Sequence, residues 1–132
     1  GYQMTYYPEW KEEYEQYVLA QSQDLSRDDF QNVAWSNALT YQMIYEQPVI
    51  YELKDITLPT LLVIGQYDRT VVGKNLLSDE KKQSFGNYPS LGRNAAKLIN
   101  GSKLVELENV GHIPHVQDIS AFQKAISDFL KE

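Results

Sequence analysis

Two side chains able to carry acid–base chemistry follow apolar stretches that end in glycine. Asp68 comes three residues after the run TLLVIG ends at Gly65, and His112 follows directly after LVELENVG. An aspartate that accepts a hydrogen bond from an imidazole fixes which ring nitrogen carries the proton, and it stabilises the imidazolium formed during proton transfer. The pair therefore predicts a general base, His112, with an orienting acid, Asp68.

Each of these residues also has a structural alternative. An aspartate on a turn often accepts hydrogen bonds from its own backbone, and a single histidine in a loop is often solvated or structurally bonded. His115 competes with His112 for the role of base, but its position after Pro114 and near the last helix favours packing. The functional interpretation of Asp68 and His112 rests on their joint placement, each after a predicted strand and in this order.

Other polar residues in the same region are assigned ordinary structural positions. Asp118 is expected to cap the last helix, and Glu106 and Glu108 are expected to face solvent. The two histidines stand in different contexts, without paired acidic residues at helical spacing. The sequence therefore predicts no metal site, and we expect no cofactor.

The elements that must position the pair are two strands and two helices. The nearly continuous leucine and β-branched run at 60–65 is typical of a strand buried on both faces, and a second strand is predicted near 103–108. Helices are predicted over 90–99 and within DISAFQKAISDFL. This order indicates an α/β fold with parallel strands and a right-handed crossover. Since neighbouring strands lie about 4.8 Å apart, side chains beyond their carboxyl ends can meet.

The first third of the chain is predicted to be helical. One helix is expected over 8–23 with Pro8 at its first position, and a second begins at SRDD, with Ser26 as the cap and Asp29 as its capping-box partner. Pro48 ends the second helix, and PVIYELKDI is either a brief extended segment or a linker. The side chains predicted to face inward on the second helix are Phe30, Val33, Ala34, Ala38, Tyr41 and Tyr45.

Composition excludes several classes of function. The 132 residues, 42% of them hydrophobic, are enough for one ordinary domain, and a net charge of −6 with scattered basic residues argues against nucleic acid as a partner. The absence of cysteine excludes disulfides, thiolate metal sites and a cysteine nucleophile. No run of about 18 apolar residues occurs, so no membrane span is predicted. We expect a soluble protein, with cytoplasmic and exported locations both open.

Two buried parallel strands are too few to form a stable sheet alone. Parallel sheets need both faces covered, and open sheets usually carry several strands. The pattern therefore predicts an incomplete domain, the end of a larger sheet whose earlier strands lie N-terminal to residue 1. The uncovered edge of the first strand would pair with that missing half or support self-association.

The stretches LPTLLVIGQYDRTV and LVELENVGHIPHVQDISAFQKAISDFL resemble the C-terminal part of an α/β-hydrolase. The resemblance covers residues 48–132 and implies strands seven and eight of the core, with Asp68 as the triad acid and His112 as the general base. The preceding helices, with the stretch WSNALTYQMIYEQPVIYEL, are similar to the end of the helical cap that many members insert after strand six, and the resemblance assigns residues 1–47 to a partial cap. GNYPSLGRNAAKLI also resembles a subgroup of bacterial hydrolases whose function is described only in broad terms.

The chain also departs from that family's pattern. The family nucleophile lies on Gly-x-Ser-x-Gly or its aspartate variant, and none of the nine serines here has that context. The early oxyanion loop is missing too, and the connector RTVVGKNLLSDEKKQSFGNYPS is longer than many members need. We therefore expect the isolated chain to be inactive, which leaves its status as an enzyme open.

The resemblance implies a function for the complete protein. It would hydrolyse an ester or similar bond in a small or medium apolar substrate by a nucleophile–His–Asp mechanism. Trp35, Tyr41 and Tyr45 are candidates to line the substrate pocket, and ordinary core packing is equally compatible with their helical spacing. The alternative is a noncatalytic α/β interaction or assembly module.

Overall fold

The computed structural model describes residues 5–131 of the chain. These residues divide into two compact units, Trp10–Leu53 and the combination of 5–9 with 54–131. The second unit contains both strands, together with Asp68 and His112. The interpretation of 1–47 as a partial cap and 48–132 as a partial core remains a prediction.

The unit Trp10–Leu53 is built from two helices. A 3-10 helix, Glu12–Tyr14, leads into α1, Glu15–Asp24, and α2 spans Phe30–Glu46. The predicted start at Pro8 is wrong, because Lys11 has an extended backbone with φ −120° and ψ 147° and interrupts any earlier helix. Tyr14 is buried, and its ring packs edge-on to Trp10 at 5.9 Å between centroids.

The predicted capping box at the start of α2 is also wrong. Asp29 occupies the N-cap position, but its carboxylate accepts hydrogen bonds from the Arg27 guanidinium at 2.7 and 2.8 Å. The Ser26 hydroxyl donates to the carbonyl of Gln23. Both side chains are thus engaged by partners other than the first turn of α2. The helix does end before Pro48, as predicted.

The face of α2 that was predicted to be buried is largely exposed. Phe30 and Val33 are half-buried, whereas the remaining predicted inward residues are exposed: Ala34, Ala38, Tyr41 and Tyr45. After α2 the chain forms two further 3-10 helices, Val49–Tyr51 and Leu53–Asp55, in place of the extended segment or linker predicted for PVIYELKDI.

The second unit is organised by two parallel strands. β1, Leu61–Gly65, pairs with β2, Lys103–Leu107, with Leu61 opposite Lys103 and Gly65 opposite Leu107. This confirms both predicted strands and their parallel pairing. Within residues 5–131 no strand pairs with the other edge of β1. The residues of β1 before Gly65 are half-buried, not fully buried as the apolar run predicts.

Helices cover the two faces of this strand pair. α4, Tyr88–Leu98, forms the crossover and packs on β1, where Gly92 lies against the side chain of Ile64. It begins two residues before the predicted position, because the Asn87 side chain accepts a hydrogen bond from the backbone N–H of Ser90 at 3.2 Å. Leu91 and Leu98, which helical spacing places on one face of α4, are exposed.

The last helix, α6, spans Ile119–Phe129 and packs on the opposite face of the strands. The Asp118 side chain accepts a hydrogen bond from the backbone N–H of Ala121 at 2.9 Å, which confirms the predicted cap. Ala125 is buried, but Leu130 is exposed because it lies beyond the last helical residue.

Two short helices were not predicted. α3, Asp79–Ser84, lies in the long connector after β1, and α5, Pro114–Gln117, lies between β2 and α6. Among the described helices, none combines the length and the apolar character needed to cross a bilayer.

Candidate active site

The turn that carries Asp68 is tied to the loop that carries His112. The backbone N–H of Asp68 donates to the carbonyl of Gly65 at 3.2 Å, and the N–H of Tyr67 donates to the carbonyl of Val110 at 2.9 Å. Position 65 has no room for a side chain, since a Cβ there would lie 2.1 Å from the carbonyl oxygen of Gly111. Glycine at the end of β1 thus allows the two loops to approach closely.

The loop that carries His112 is also held by the N-terminal segment. The backbone N–H of His112 donates to the carbonyl of Tyr6 at 2.7 Å, and the N–H of Gly111 donates to the side-chain oxygen of Gln117 at 2.7 Å. Residues 5–9 join the strand unit, which the sequence patterns did not predict. No local pattern in the sequence signals this, because the contact is made through the backbone carbonyl of Tyr6.

The two side chains singled out in the sequence meet beyond the carboxyl ends of the strands. Nδ1 of His112 lies 2.8 Å from Oδ2 of Asp68. The Asp68 side chain is 7% exposed, whereas that of His112 is 37% exposed. A buried carboxylate bonded to one ring nitrogen of a partly exposed imidazole is the geometry of an acid that orients a base.

Asp68 also makes the hydrogen bonds within its own turn that were considered as its structural alternative. Its other oxygen, Oδ1, accepts hydrogen bonds from the backbone N–H of Thr70 at 3.0 Å and from the Thr70 hydroxyl at 2.8 Å. This is the local turn bonding expected of an aspartate two residues before its partner. One carboxylate oxygen holds the turn and the other holds the imidazole.

Thr70 is a further member of this arrangement that the sequence patterns did not predict. It is 6% exposed, and its hydroxyl oxygen lies 2.9 Å from Nδ1 of His112 as well as bonding Asp68. The signal available in the sequence was the spacing Asp-x-Thr, which is typical of a side-chain-bonded turn. That spacing does not reveal the contact with His112, which is 42 positions away.

Two aromatic rings flank the imidazole of His112. The ring of Tyr6 lies 4.9 Å from it between centroids, tilted by 44°, and the ring of Tyr88 lies 5.8 Å away in an edge-on arrangement. Aromatic rings at these distances pack against the imidazole and limit its rotation. The side chain of His112 is thus held by hydrogen bonds on one edge and by rings beside it.

The competing polar residues occupy other positions. His115 lies on α5 and packs against the ring of Phe122, 5.8 Å between centroids, in keeping with a packing role. Glu106 and Glu108 are exposed, as predicted, and Glu106 accepts a hydrogen bond from Arg93. In the part of the chain that the structure describes, no group of three or more histidine or acidic side chains is arranged to hold a metal.

The predicted substrate-pocket residues all lie on α2. Their exposed fractions are 67% for Trp35, 54% for Tyr41 and 87% for Tyr45. They belong to the unit Trp10–Leu53, whereas Asp68 and His112 belong to the other unit. Their role in a pocket remains a prediction.

Three comparisons with known proteins gave one similar protein, a solved structure. No protein-family model matches the sequence, and a search of curated proteins gave no match. Among solved structures, the chain is similar to a probable hydrolytic enzyme from Pseudomonas aeruginosa PAO1. The similarity is close. Sequence identity is 40%, with a TM-score of 0.90.

The match covers nearly all of this chain but less than half of the Pseudomonas enzyme. It includes 98% of this chain and 42% of the enzyme, so this chain spans less than half the enzyme's length. The mixed α/β architecture, with two parallel strands and flanking helices, is consistent with an α/β-hydrolase-like fold. The coverage is also consistent with an incomplete domain.

Proposed function

We propose that this chain is the C-terminal part of an α/β-hydrolase, in which His112 is the general base and Asp68 orients it. The observation that carries the proposal is the 2.8 Å contact between Nδ1 of His112 and Oδ2 of a buried Asp68. The 40% identity with a probable hydrolytic enzyme supports the hydrolase class. In this proposal residues 1–47 belong to a helical cap and 48–132 to the core.

The proposed mechanism assigns one task to each group. A serine or aspartate outside this chain attacks the substrate. If the nucleophile is a serine, Nε2 of His112 takes the hydroxyl proton as the new bond forms and later gives it to the leaving group. If the nucleophile is an aspartate, the imidazole activates the water that cleaves the covalent intermediate. The Asp68 carboxylate stabilises the imidazolium that forms between these transfers. The substrate is a small or medium apolar ester or a similar compound.

The isolated chain is expected to be inactive. A base and its orienting acid cannot place the reacting carbon or stabilise the developing oxyanion, and these contributions account for much of the rate in such enzymes. Hydrolysis of p-nitrophenyl acetate by the 132-residue chain should not exceed the rate with free imidazole at the same concentration of imidazole groups. A rate well above that reference that disappears in His112→Ala would contradict this expectation.

A chimera tests the proposed function directly. This chain would replace the matching 42% of the Pseudomonas enzyme, whose remaining length supplies what this chain does not cover. The chimera should hydrolyse an apolar p-nitrophenyl ester, and His112→Ala should reduce kcat by roughly 10²–10⁴-fold, the usual contribution of a positioned acid–base group.

His115→Ala is the matched control for this test. It removes the other histidine, which packs against Phe122, and should leave kcat of the chimera unchanged. Equal losses in the His112 and His115 variants, or a chimera that folds but has no hydrolase activity, would refute the proposed function.

An assembly module is the second candidate. β1 has one unpaired edge within the described residues, and an apolar groove of about 330 Å³ lies between the strands and α6, lined in part by Leu61, Val105 and Phe129. Unpaired strand edges and apolar surfaces favour association. Sedimentation velocity should then detect an oligomer that Leu61→Lys disrupts and that Leu76→Lys, at an 83% exposed position, does not. A cooperatively unfolding monomer would refute this candidate.

A further inference from the structure

The Thr70 hydroxyl contacts both members of the Asp68–His112 pair. Its oxygen lies 2.8 Å from Oδ1 of Asp68 and 2.9 Å from Nδ1 of His112. The same nitrogen lies 2.8 Å from Oδ2 of Asp68. Thr70 is 6% exposed, so water has little access to these contacts. The three side chains therefore form one closed set of hydrogen bonds.

Counting protons assigns the direction of each bond. An ionised carboxylate can only accept, and a threonine hydroxyl has one proton to donate. The 2.8 Å contact between Nδ1 of His112 and the acceptor Oδ2 of Asp68 is a hydrogen bond only if Nδ1 carries a proton, so the Thr70 proton is directed to Oδ1 of Asp68. The Thr70 oxygen therefore faces His112 with its lone pairs, and so does Oδ2 of Asp68. Both neighbours of Nδ1 are acceptors, and the proton between them must belong to Nδ1.

We propose that Thr70 is a positioning residue that holds His112 in its Nδ1–H tautomer. The Nδ1–H is shared between Asp68 and Thr70 as a three-centre hydrogen bond. Nε2 of the neutral ring then keeps its lone pair and is free to take a proton. This inference rests on the proposed function, since it concerns the state in which His112 would act as base.

Thr70 also fixes the acid that orients the base. Its backbone N–H and its hydroxyl both donate to Oδ1 of Asp68, which sets the rotation of the carboxylate and directs Oδ2 toward His112. Removal of the hydroxyl leaves Oδ1 with the backbone donor and takes one acceptor from Nδ1. The loss of that acceptor reduces the preference for the Nδ1–H tautomer.

The test uses this chain within the chimera with the Pseudomonas enzyme, labelled with ¹⁵N-histidine. Long-range ¹H–¹⁵N correlation spectra, recorded at a pH where the imidazoles are neutral, distinguish the Nδ1–H and Nε2–H tautomers. Thr70→Val removes the hydroxyl at nearly constant volume, and Thr70→Ser keeps it. His115, which packs against Phe122, is the reference signal in every sample.

The wild type and Thr70→Ser should show His112 mainly as the Nδ1–H tautomer. In Thr70→Val the ratio of Nδ1–H to Nε2–H should fall roughly fivefold to tenfold, as expected for the loss of one hydrogen bond of ordinary net strength. The tautomer ratio of His115 should not change. If Thr70→Val does not fold, Thr70→Ala makes the same deletion without the added methyl group and is judged by the same ratio.

Two results would overturn the role of Thr70. One is a wild-type chain in which His112 carries its proton mainly on Nε2, and the other is a hydroxyl-deleted variant with the wild-type ratio. Neither depends on hydrolysis, so the failure of this inference is separate from failure of the proposed function. An inactive chimera with the expected tautomer shift would refute the function and leave the role of Thr70 in setting the tautomer intact.

Discussion

Oδ2 of Asp68 lies 2.8 Å from Nδ1 of His112, although 44 positions separate the two residues in the sequence. The contact exists because β1 and β2 are parallel neighbours and their following loops leave the same edge of the sheet. The other carboxylate oxygen of Asp68 bonds Thr70. The turn and the pair are therefore parts of one arrangement, and a change in the turn should be detected at the imidazole.

Asp68→Asn should reverse the tautomer of His112. The backbone N–H and the hydroxyl of Thr70 both donate to position Oδ1, so the oxygen of the substituted amide should turn toward them and its NH₂ group toward Nδ1. A donor facing Nδ1 favours the Nε2–H form, which cannot act as a base through Nε2. The same long-range ¹H–¹⁵N spectra should show the Nε2–H tautomer in excess.

Asp79→Asn is the control for this substitution. It makes the same chemical change at an exposed residue that pairs with Lys82 on α3. The control should leave the tautomer of His112 unchanged. An Asp68→Asn chain that keeps the Nδ1–H form would show that the carboxylate does not select the tautomer.

Gly65→Ala should destabilise the chain and displace the loop that carries His112. A Cβ at position 65 would lie 2.1 Å from the Gly111 carbonyl oxygen and 2.4 Å from that of Val110, and backbone atoms cannot yield as a flexible side chain can. Overpacking of this kind costs about 1–3 kcal/mol. Denaturant unfolding should measure the loss, and the His112 ring signals should shift.

Gly101→Ala separates the steric effect from backbone strain. Gly101 has a φ of +73°, but a Cβ there would meet no heavy atom within 4 Å. Its substitution should cost about 1–2 kcal/mol from the left-handed backbone alone and leave the His112 signals in place. If both variants move these signals equally, the close approach at Gly65 does not position the loop.

Asp118→Ala should lower the free energy of unfolding by about 1 kcal/mol. The substitution removes the acceptor for the N–H of Ala121 in the first turn of α6. Ser78→Ala provides the comparison, because Ser78 holds the N-cap position of α3 without a side-chain cap bond to the described residues. Thermal or urea unfolding should show a clear loss for Asp118→Ala and little change for Ser78→Ala.

Arg27 should lower the pKa of the Asp29 carboxyl group, because its guanidinium donates hydrogen bonds to the ionised form. A lowered pKa in the folded state means that this contribution to stability is present above the ordinary pKa of aspartate and is lost as the pH falls through the lowered value. Carboxyl ¹³C titration should show Asp29 titrating below the ordinary range.

Arg27→Gln should return the pKa of Asp29 toward its ordinary value. Both side chains are about half exposed, so added salt should reduce the effect of Arg27 in the wild type. As a comparison, the pKa of Asp128, which Lys124 lowers, should not respond to Arg27→Gln. An unchanged titration of Asp29 in Arg27→Gln would show that the ion pair is not formed in solution.

The sequence by itself determined the features that depend on local patterns. The apolar run of β1, the second strand, the last helix and the Asp118 cap were predictable, because periodic apolar residues and capping side chains act within a few positions along the chain. The position of Asp68 and His112 after the two strands followed from the same patterns. Ser26 is the exception, because its hydroxyl donates to the carbonyl of Gln23 and does not cap α2.

The tertiary structure alone decided which distant groups meet. The carbonyl of Tyr6 holds the backbone of His112, and the Thr70 hydroxyl reaches Nδ1 of the same residue, 42 positions away. Nor did helical periodicity reveal that Tyr41 and Tyr45 are exposed. Residue types and spacing limit what a side chain can do. Which atoms lie within hydrogen-bond distance depends on the path of the backbone between them, and the parallel pairing of β1 and β2 determines that path here.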